Sequence, residues 1–368
     1  MKKIHSYTTI KFTKIFFGVL VSIVLLTVII DFVELTRRLS GKSATLMQTI
    51  NLTILKQPSL MLDVMPFVIL LSGILFLVKL SDNSEITILK ASGISLKKIF
   101  KAPLIIITAI ALIEILLFNH FATYTERIYK KNINNILSPG HIIENHIDQG
   151  MWFKQNKIDI PYIFKSQRIV FKENLVELYD IKLIFIGDNN DNLLYANKAT
   201  IKERQLNLHD ITMIGKHNEE IYHKDSLTLA TSLSKEFMKN KIRNIESDFG
   251  IASIWDILSS LQMLKTMGFN VSKQTSLLNF YMAKPILYIS LFLLSGIFCI
   301  YPPRHQKKIL YIIISVISGF FIYFILNISY TLTSASELSI LFGIWLPHIL
   351  LLLSILYLLI RKERRYFT

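Results

Sequence analysis

Six long runs of apolar residues alternate with polar segments along this chain. A helix needs roughly 20 apolar residues to cross about 30 Å of hydrocarbon, and each run approaches that length. They lie near Ile15–Phe32, Pro58–Val78, Pro103–Phe118, Tyr281–Tyr301, Ile309–Ile328 and Ile340–Ile360. The pattern therefore predicts six transmembrane helices, three before and three after a long central segment.

The central segment has a different period. Short runs rich in Ile, Leu, Tyr and Phe alternate with turns marked by Asn, Asp and Gly, as is typical of strands. Met151–Phe164 predicts a hairpin, and later runs at similar spacing predict a sandwich or jelly roll of about seven or more strands. A helical period then covers Ile251–Thr266 and ends at Gly268, and an amphipathic stretch, Thr275–Lys284, leads into the fourth span.

The predicted fold class is therefore α+β integral membrane: six transmembrane helices (3+3) with a large inserted β-jelly-roll-like domain. We expect residues 1–119 to form the first three spans, 120–280 the β domain with a helical C-terminal part, and 281–368 the last three spans. Because the first span has no small-residue cleavage site, we read it as an uncleaved helix.

The flanking charges set the expected orientation. Lys and Arg concentrate in short cytoplasmic loops, and one side of the predicted bundle holds most of them. That side carries Lys2, Lys3, Lys11, Lys14, Lys90, Lys97, Lys98, Lys101, Arg304, Lys307, Lys308, Arg361, Lys362, Arg364 and Arg365, against Arg37, Arg38, Lys42 and Lys56 opposite. Both termini and the loop Ser81–Ser95 are therefore expected in the cytoplasm, and the β domain outside it.

Composition supports a membrane protein and argues against several other classes. The hydrophobic fraction of 52% and the long apolar runs exceed what a soluble enzyme carries. The single cysteine, Cys299, cannot form a disulfide within the chain. The net charge of +15 comes from the ends of apolar runs and not from an aromatic-interleaved patch, so nucleic acid is not an expected partner.

Local motifs give no sign of catalysis. Ser40–Ser43 reads Ser-Gly-Lys-Ser, but Thr36 occupies the place of the first glycine of a phosphate loop. No serine nucleophile elbow and no metal-ligand spacing of His and Cys is evident, so we expect no cofactor and no metal. Any ATP hydrolysis then belongs to another subunit.

The loop SDNSEITILKASGIS, Ser81–Ser95, has the pattern of a short capped helix. Asp82 is a plausible N-cap with Glu85 three residues later, Ile86 and Leu89 share a face, and Gly93 ends the run. The helix either only connects two spans or docks a partner. In the second case Glu85, placed near the helix N-terminus, is available to pair with an arginine of that partner.

The chain resembles the LptF/LptG permease family of lipopolysaccharide export almost from end to end. The resemblance lies in PSLMLDVMPFVILLSG (Pro58–Gly73) running into SDNSEITILKASGIS, in Gly-Met-Trp-Phe at Gly150–Phe153, and in the last three spans with the Tyr301–His305 loop. The Gly-Met-Trp opening of the β domain is more similar to the LptG branch than to the LptF branch.

The resemblance implies a non-catalytic subunit of an ABC transporter in the bacterial inner membrane. It would pair with an LptF-like permease, dock a cytoplasmic LptB-like ATPase dimer and pass lipopolysaccharide to a periplasmic LptC-like bridge protein. The Ser81–Ser95 helix would be the coupling helix that enters a groove of the ATPase. A paralogous LptF-type subunit, a membrane enzyme that modifies envelope lipids through Glu114 or Asp63, and an anchored scaffold are the alternatives.

Basic residues at the outer end of the first span form a candidate lipid site. Arg37, Arg38 and Lys42 either anchor the helix at the interface or bind the phosphates of the glycolipid, and family members carry basic residues here. Asp31 departs from that pattern, because a relative can have a base at this position.

Ionisable residues within the spans are costly and normally face a bundle interior or a wet cavity. Asp31, Asp63, Glu114 and Lys284 map to the outer half of the membrane, where Lys284 either pairs with one of the acids or helps to line a headgroup cavity. His348, deep in the last span, is expected to be a packed histidine. Inside the β domain, apolar side chains form either a dry core, the usual case, or an open trough for acyl chains, and the resemblance favours the trough.

Overall fold

The computed structural model describes residues 2–42, 44–137, 145–155, 162–171, 175–185, 193–202, 205–214, 221–231, 233, 238, 253–266, 271–299 and 308–365. Ser43, Ile251, Gly268 and the Tyr301–His305 loop lie outside these residues. The chain divides into two compact units. A helical unit contains Met1–Leu137, Ile251–Ile257 and Ser272–Thr368, and a β unit contains Ser138–Gly250 and Leu258–Val271.

All six predicted spans are present as long apolar helices, and the α+β membrane class is confirmed. The helices are α1 (Lys2–Leu39), α2 (Leu46–Asp82), α3 (Glu85–Ala91), α4 (Leu96–Ile113), α5 (Asn119–Leu137), α6 (Ile254–Thr266), α7 (Ser272–Cys299), α8 (Lys308–Ser334) and α9 (Leu346–Arg365). Two π-helical turns, Glu114–Phe118 and Leu341–Trp345, precede α5 and α9.

The α2 helix is the centre of the helical unit. Thr45 and Gln48 form a reciprocal capping box at its start, which satisfies backbone donors there. Its buried face packs with α7, and the two backbones come close at Gly73, where an added Cβ would lie 2.7 Å from Ser295 Oγ. A small residue is therefore needed at this crossing.

The third span is longer than its apolar run. The helix continues through the π-turn and α5 to Leu137, so the domain boundary expected at residue 119 falls within it. Ala122, Tyr129 and Ile133 are buried at helical spacing, which explains why a polar sequence stays helical. Asn119 also accepts a hydrogen bond from the Ile254 amide at 3.0 Å.

Six antiparallel strands form one sheet in consecutive order. They are β1 (Asn145–Gln155), β2 (Tyr162–Phe171), β3 (Val176–Phe185), β4 (Leu193–Lys202), β5 (Gln205–Ile214) and β6 (Ile221–Ala230). The hairpin predicted within Met151–Phe164 is confirmed by the pairing of Gln155 with Tyr162. We expected seven or more strands in two sheets; the described strands are six and make a single meander.

A row of exposed residues interrupts the sheet at the same level in five neighbouring strands. The ladder skips Gln167, Asp180, Asn197, Asp210 and Asp225. The alternation of buried and outward side chains shifts by one residue across this row. In β3, for example, the buried positions are Leu178 before the row and Ile181 and Leu183 after it. Asp180 and Asp210 have φ values of 52° and 53°, the left-handed conformation that Asp tolerates better than most residues.

The sheet folds over along the skipped row, so that its two halves face one core. The hydroxyl of Tyr162, at the start of β2, donates to the Ala230 carbonyl at the end of β6 at 2.7 Å. In a flat sheet these groups would be roughly 30 Å apart along the strands alone. The two layers that we expected from two separate sheets are thus the two halves of one folded sheet.

The inner face of the folded sheet is filled with apolar side chains. Phe153, Phe164, Leu183 and Leu194 have no exposed surface, and the first two rings stack with centroids 4.9 Å apart. Among the described residues this face is therefore packed as a dry core, in contrast to the open trough that the resemblance favoured. Leu183 and Phe185 lie on the inner side, as their alternation with Lys182 indicates.

Candidate functional site

The α3 helix begins later than its sequence indicates. The α2 helix continues to Asp82, so the N-cap assigned to Asp82 is wrong, and α3 starts at Glu85 after Ser84, whose φ is 55°. The buried Leu80 keeps the last turn of α2 on the core, and this packing outweighs the cap signal. The predicted end of the helix is confirmed, because Gly93 has φ 74°. The Ile94 amide donates to the carbonyl of Leu89, five residues earlier, at 3.0 Å, which is the hydrogen bond that defines a Schellman motif.

Ile86 and Leu89, which share one face of the predicted coupling helix, face the bundle. Ile86 is 4% exposed, and Leu89 packs against the same core. Among the α3 side chains whose exposure the structure describes, Thr87, Ile88 and Ala91 point outward, and Ile88 is 62% exposed. A partner protein would therefore meet Ile88, while Ile86 and Leu89 fix the helix in place.

Glu85 is engaged by side chains from α1 and from the turn before α3. Its carboxylate lies 2.7 Å from Lys11 Nζ, and it accepts hydrogen bonds from Tyr7 Oη and Asn83 Nδ2, both at 2.9 Å. Burial raises the pKa of a carboxyl, but the hydrogen bonds from Lys11, Asn83 and Tyr7 and the Lys11 charge outweigh it here, so the pKa of Glu85 is lowered. Glu85 is thus held ionised by its own chain.

The basic cluster at the other end of α1 is open to the surroundings. Arg37, Arg38 and Lys42 are exposed, and Lys42 Nζ donates to the Leu137 carbonyl at 3.5 Å. Arg37 and Arg38 occupy the last turn of α1, where positive charge interacts favourably with the helix dipole. Both arginines present their guanidinium groups outward at the predicted interface.

Asp31, which departs from the family pattern, is buried in an ion pair. It is 3% exposed and binds Lys56 of α2, whose Nζ also lies 5.9 Å from the centre of the Tyr129 ring. The Asp31 Oδ2 atom is buried and has no hydrogen-bond partner among the described residues. Lys56 is therefore neutralised within the bundle, in contrast to Arg37 and Arg38.

Lys284 and Glu114 form a buried pair within the membrane-spanning helices. Lys284 Nζ lies 2.6 Å from Glu114 Oε1, and Tyr288 donates to Oε2 at 2.6 Å. The pair joins the first π-turn to α7. Of the two alternatives for Lys284, an acid partner or the lining of a headgroup cavity, the structure therefore has the first. Asp63 is exposed on α2 and within electrostatic reach of Lys284. No hydrogen bond or ion pair among the described residues joins Lys284 to the Arg37–Lys42 cluster.

Sequence reasoning missed the partners of these charges. Tyr7 and Lys11 carry a weak signal, because residues four apart share a helix face, but nothing in the sequence indicates that Glu85 faces them. Lys56 and Tyr288 were likewise unassigned. Long-range pairs of this kind depend on how the helices pack.

His348 is 1% exposed and hydrogen-bonds the Ile344 carbonyl through Nδ1 at 2.7 Å, as expected of a packed histidine. Within the described part of the chain, no group of three or more His, Cys, Asp or Glu side chains could hold a metal ion.

Comparison with known proteins agrees with this architecture. The sequence model of the family described as "Lipopolysaccharide export system permease LptF/LptG" matches residues 6–361. No curated protein matched the chain. Because the match covers almost every residue, including all six spans and the β unit, the chain belongs to the LptF/LptG family of lipopolysaccharide export permeases.

Proposed function

We propose that this chain is the LptG-type permease subunit of an ABC transporter that extracts lipopolysaccharide from the bacterial inner membrane. A separate cytoplasmic LptB-like ATPase dimer supplies the energy, an LptF-like permease completes the pair, and an LptC-like periplasmic bridge protein receives the lipid. Both termini and α3 lie in the cytoplasm, and the β unit lies in the periplasm. In this assignment the helical unit, Met1–Leu137, Ile251–Ile257 and Ser272–Thr368, is the membrane part, and the β unit, Ser138–Gly250 and Leu258–Val271, replaces the insertion expected at 120–280.

The observation that carries this proposal is the construction of α3. It is a short helix, closed by a Schellman motif, with Ile86 and Leu89 fixed in the core and Ile88 projecting outward. An exposed isoleucine on a rigidly held helix is suited to a hydrophobic groove on a partner.

The lipid-binding side of the proposal rests on the Arg37–Lys42 cluster. Arginine binds phosphate through two parallel hydrogen bonds, and Arg37 and Arg38 are exposed at the end of α1. Lys284, in contrast, is occupied by Glu114. We therefore assign first capture of the lipid phosphates to Arg37, Arg38 and Lys42, and a structural role to Lys284.

The enzyme alternative finds less support in the geometry. A catalytic Glu114 needs a carboxylate free to exchange protons with substrate, but Lys284 and Tyr288 engage its two oxygens. Among the described residues Asp63 makes no hydrogen bond or ion pair with a second acid or base, although Lys284, Glu114 and Glu126 lie within electrostatic reach, and acid–base chemistry requires such a partner in contact.

The test is substitution of Ile88 by Asp. We expect Ile88→Asp to prevent copurification of the ATPase while the permease remains folded in the membrane, because a carboxylate cannot enter an apolar groove without loss of its hydration. Met47→Asp is the matched control, since Met47 is 74% exposed at the opposite end of α2. Equal recovery of the ATPase with Ile88→Asp and with wild type would contradict docking at α3.

A further inference from the structure

The start of α6 is fixed to the third span by polar contacts. The Ile254 amide donates to Asn119 Oδ1 at 3.0 Å, and Ser253 Oγ lies 3.1 Å from His120 Nδ1. Ser253 and Ile254 are buried, and this first turn belongs to the same compact unit as the third span. The side chains that follow therefore have a defined position along that span.

The next two side chains of α6 reach in opposite directions along the third span. Trp255 Nε1 donates to the Leu116 carbonyl of the first π-turn at 3.2 Å, and Asp256 Oδ2 lies 2.6 Å from Arg127 Nη2. Leu116 and Arg127 are 11 residues apart, which is about 16 Å along a helix. The indole thus points toward the apolar part of the span, and the carboxylate points toward its polar extension.

The exposed surface beside Trp255 changes from apolar to charged within a few turns. Leu117, Phe121 and Tyr124 are 67%, 53% and 59% exposed, and spacings of four and three residues place them on one helix face. Trp255 itself is 53% exposed. Arg127 follows three residues after Tyr124. Tryptophan and tyrosine are enriched where hydrocarbon meets headgroups, because each joins an apolar ring to a polar group.

The other end of the third span gives an independent measure of the membrane boundary. Lys101 is exposed there, and Tyr124 follows 23 residues later, which is about 35 Å of helix. The hydrocarbon layer is about 30 Å thick, and a lysine near a helix end extends its ammonium group to the headgroups. The exposed side chains between these residues include Ile105 and Leu112. Residues favoured at a membrane boundary therefore lie about one bilayer thickness apart.

We propose that Phe121, Tyr124 and Trp255 form a lipid-binding surface that seats the start of α6 at the headgroup boundary of the bilayer. The occupant is bilayer phospholipid, whose acyl chains contact the rings where they join the headgroups. A protein occupant would not require the charged residues to begin about one bilayer thickness from Lys101. The inference uses the six membrane spans and does not depend on lipopolysaccharide export.

The depth of Trp255 in the bilayer is measured by fluorescence. The chain has three tryptophans, so Trp152→Phe/Trp345→Phe leaves Trp255 as the only one. The full chain is reconstituted into phosphatidylcholine vesicles whose lipids carry bromine either near the headgroup or near the chain end. We expect stronger quenching of Trp255 by bromine near the headgroup.

A tryptophan in the middle of the third span is the matched control. Leu112→Trp, in a chain whose three native tryptophans are changed to Phe, should be quenched most by bromine near the chain end. The same depth for Trp255 as for this control would overturn the boundary position. Quenching of Trp255 by aqueous acrylamide and not by either lipid would place the ring in water and would also overturn the proposal.

A second measurement uses the unsubstituted chain, alone and with the proteins that copurify with it. A phosphatidylcholine with a diazirine near its headgroup should crosslink to Phe121, Tyr124 or Trp255 in both preparations, as located by tandem mass spectrometry. Absence of these crosslinks in the chain alone would overturn the lipid surface. Crosslinks that disappear in the complex would assign the surface to a protein partner and would overturn the lipid occupant.

Discussion

At the scale of single residues, the buried charges of the helical unit are balanced in pairs. Lys284 with Glu114 and Lys56 with Asp31 each join two helices in a low-dielectric environment. Removing one member of such a pair leaves the other charged and unpaired, which costs far more than the net value of the pair. These residues are therefore sensitive to single substitutions.

We predict that Lys284→Met lowers the free energy of unfolding by roughly 3–5 kcal/mol, because Glu114 loses its buried counter-charge. Adding Glu114→Gln should recover much of this loss, since a neutral amide can still accept the hydrogen bond from Tyr288. Denaturant unfolding in detergent measures the difference, with the exposed Lys265→Met as control. A single variant as stable as wild type would show that the pair is solvated.

A second prediction concerns Tyr162 of the β unit. Burial raises its pKa from 10.0 to about 12. A raised folded-state pKa means that the contribution to stability is complete below the unfolded value and disappears as the pH rises through the folded value. We expect the fold of the β unit to weaken between pH 10.0 and about 12, because in this range the unfolded chain can ionise Tyr162 while the buried hydroxyl stays protonated.

Limited proteolysis of the full chain at stepped pH measures this effect. Tyr162→Phe should be less stable at neutral pH by about 1 kcal/mol, the value of one hydrogen bond, and should lose less resistance above pH 10.0 than wild type. Tyr195→Phe, in β4, is the control. Identical alkaline profiles for wild type and Tyr162→Phe would assign the loss to other groups.

Residue predictions from the sequence succeeded where the cause is local. Gly93 could be identified as a helix end because a left-handed C-cap favours glycine whatever lies around it. Asp82 was assigned wrongly because the burial of Leu80, which extends α2, is a tertiary effect. The contacts of Glu85 with Tyr7 and Lys11 could not be predicted, since these two residues lie on another helix.

At the scale of elements, close backbone approach fixes how the last two spans pack. An added Cβ at Gly343, in the second π-turn, would lie 1.8 Å from Thr333 Oγ1 and 3.1 Å from Thr333 Cβ. Ser329 also donates to the Gly343 carbonyl at 2.5 Å. Glycine here lets the π-turn lie directly against α8.

We predict that Gly343→Ala destabilises the helical unit by about 1–3 kcal/mol, because the buried, β-branched Thr333 cannot move aside easily. Gly18→Ala is the matched control, since an added Cβ there meets nothing within 4 Å. Thermal unfolding in the same detergent compares the two. A Gly343→Ala variant as stable as Gly18→Ala would mean that α8 adjusts at little cost.

Elements were predictable to different degrees. The six spans followed from composition, because the bilayer thickness sets their length. The continuation of the third span to Leu137 could not be read from hydropathy, since α5 is polar and stays helical by burying one face. The single folded sheet, in place of the two sheets expected, could not be read from the sequence, because the fold in each described strand at the skipped row has no simple sequence signal.

At the scale of the whole molecule, the two ends of α1 differ in their contacts. Lys11, near the start, pairs with Glu85 of α3, whereas Arg37 and Arg38, in the last turn, are exposed. We predict that Arg37→Glu/Arg38→Glu lowers lipopolysaccharide extraction without loss of assembly, because two carboxylates repel the lipid phosphates. Photocrosslinking of the lipid and ATPase copurification measure the two parts. Unchanged lipid crosslinking would leave the arginines with an anchoring role alone.

The skipped row of the β unit also makes the sheet tolerant of changes in strand length at one level. Inserting or deleting a residue elsewhere in a strand turns every following side chain to the opposite face. At Asp180 or Asp210 the side-chain phase already changes, and the backbone is already out of the ladder. Homologous β domains can therefore gain or lose residues along this line while both halves keep their apolar faces inward, and alignments of the family should place their gaps there.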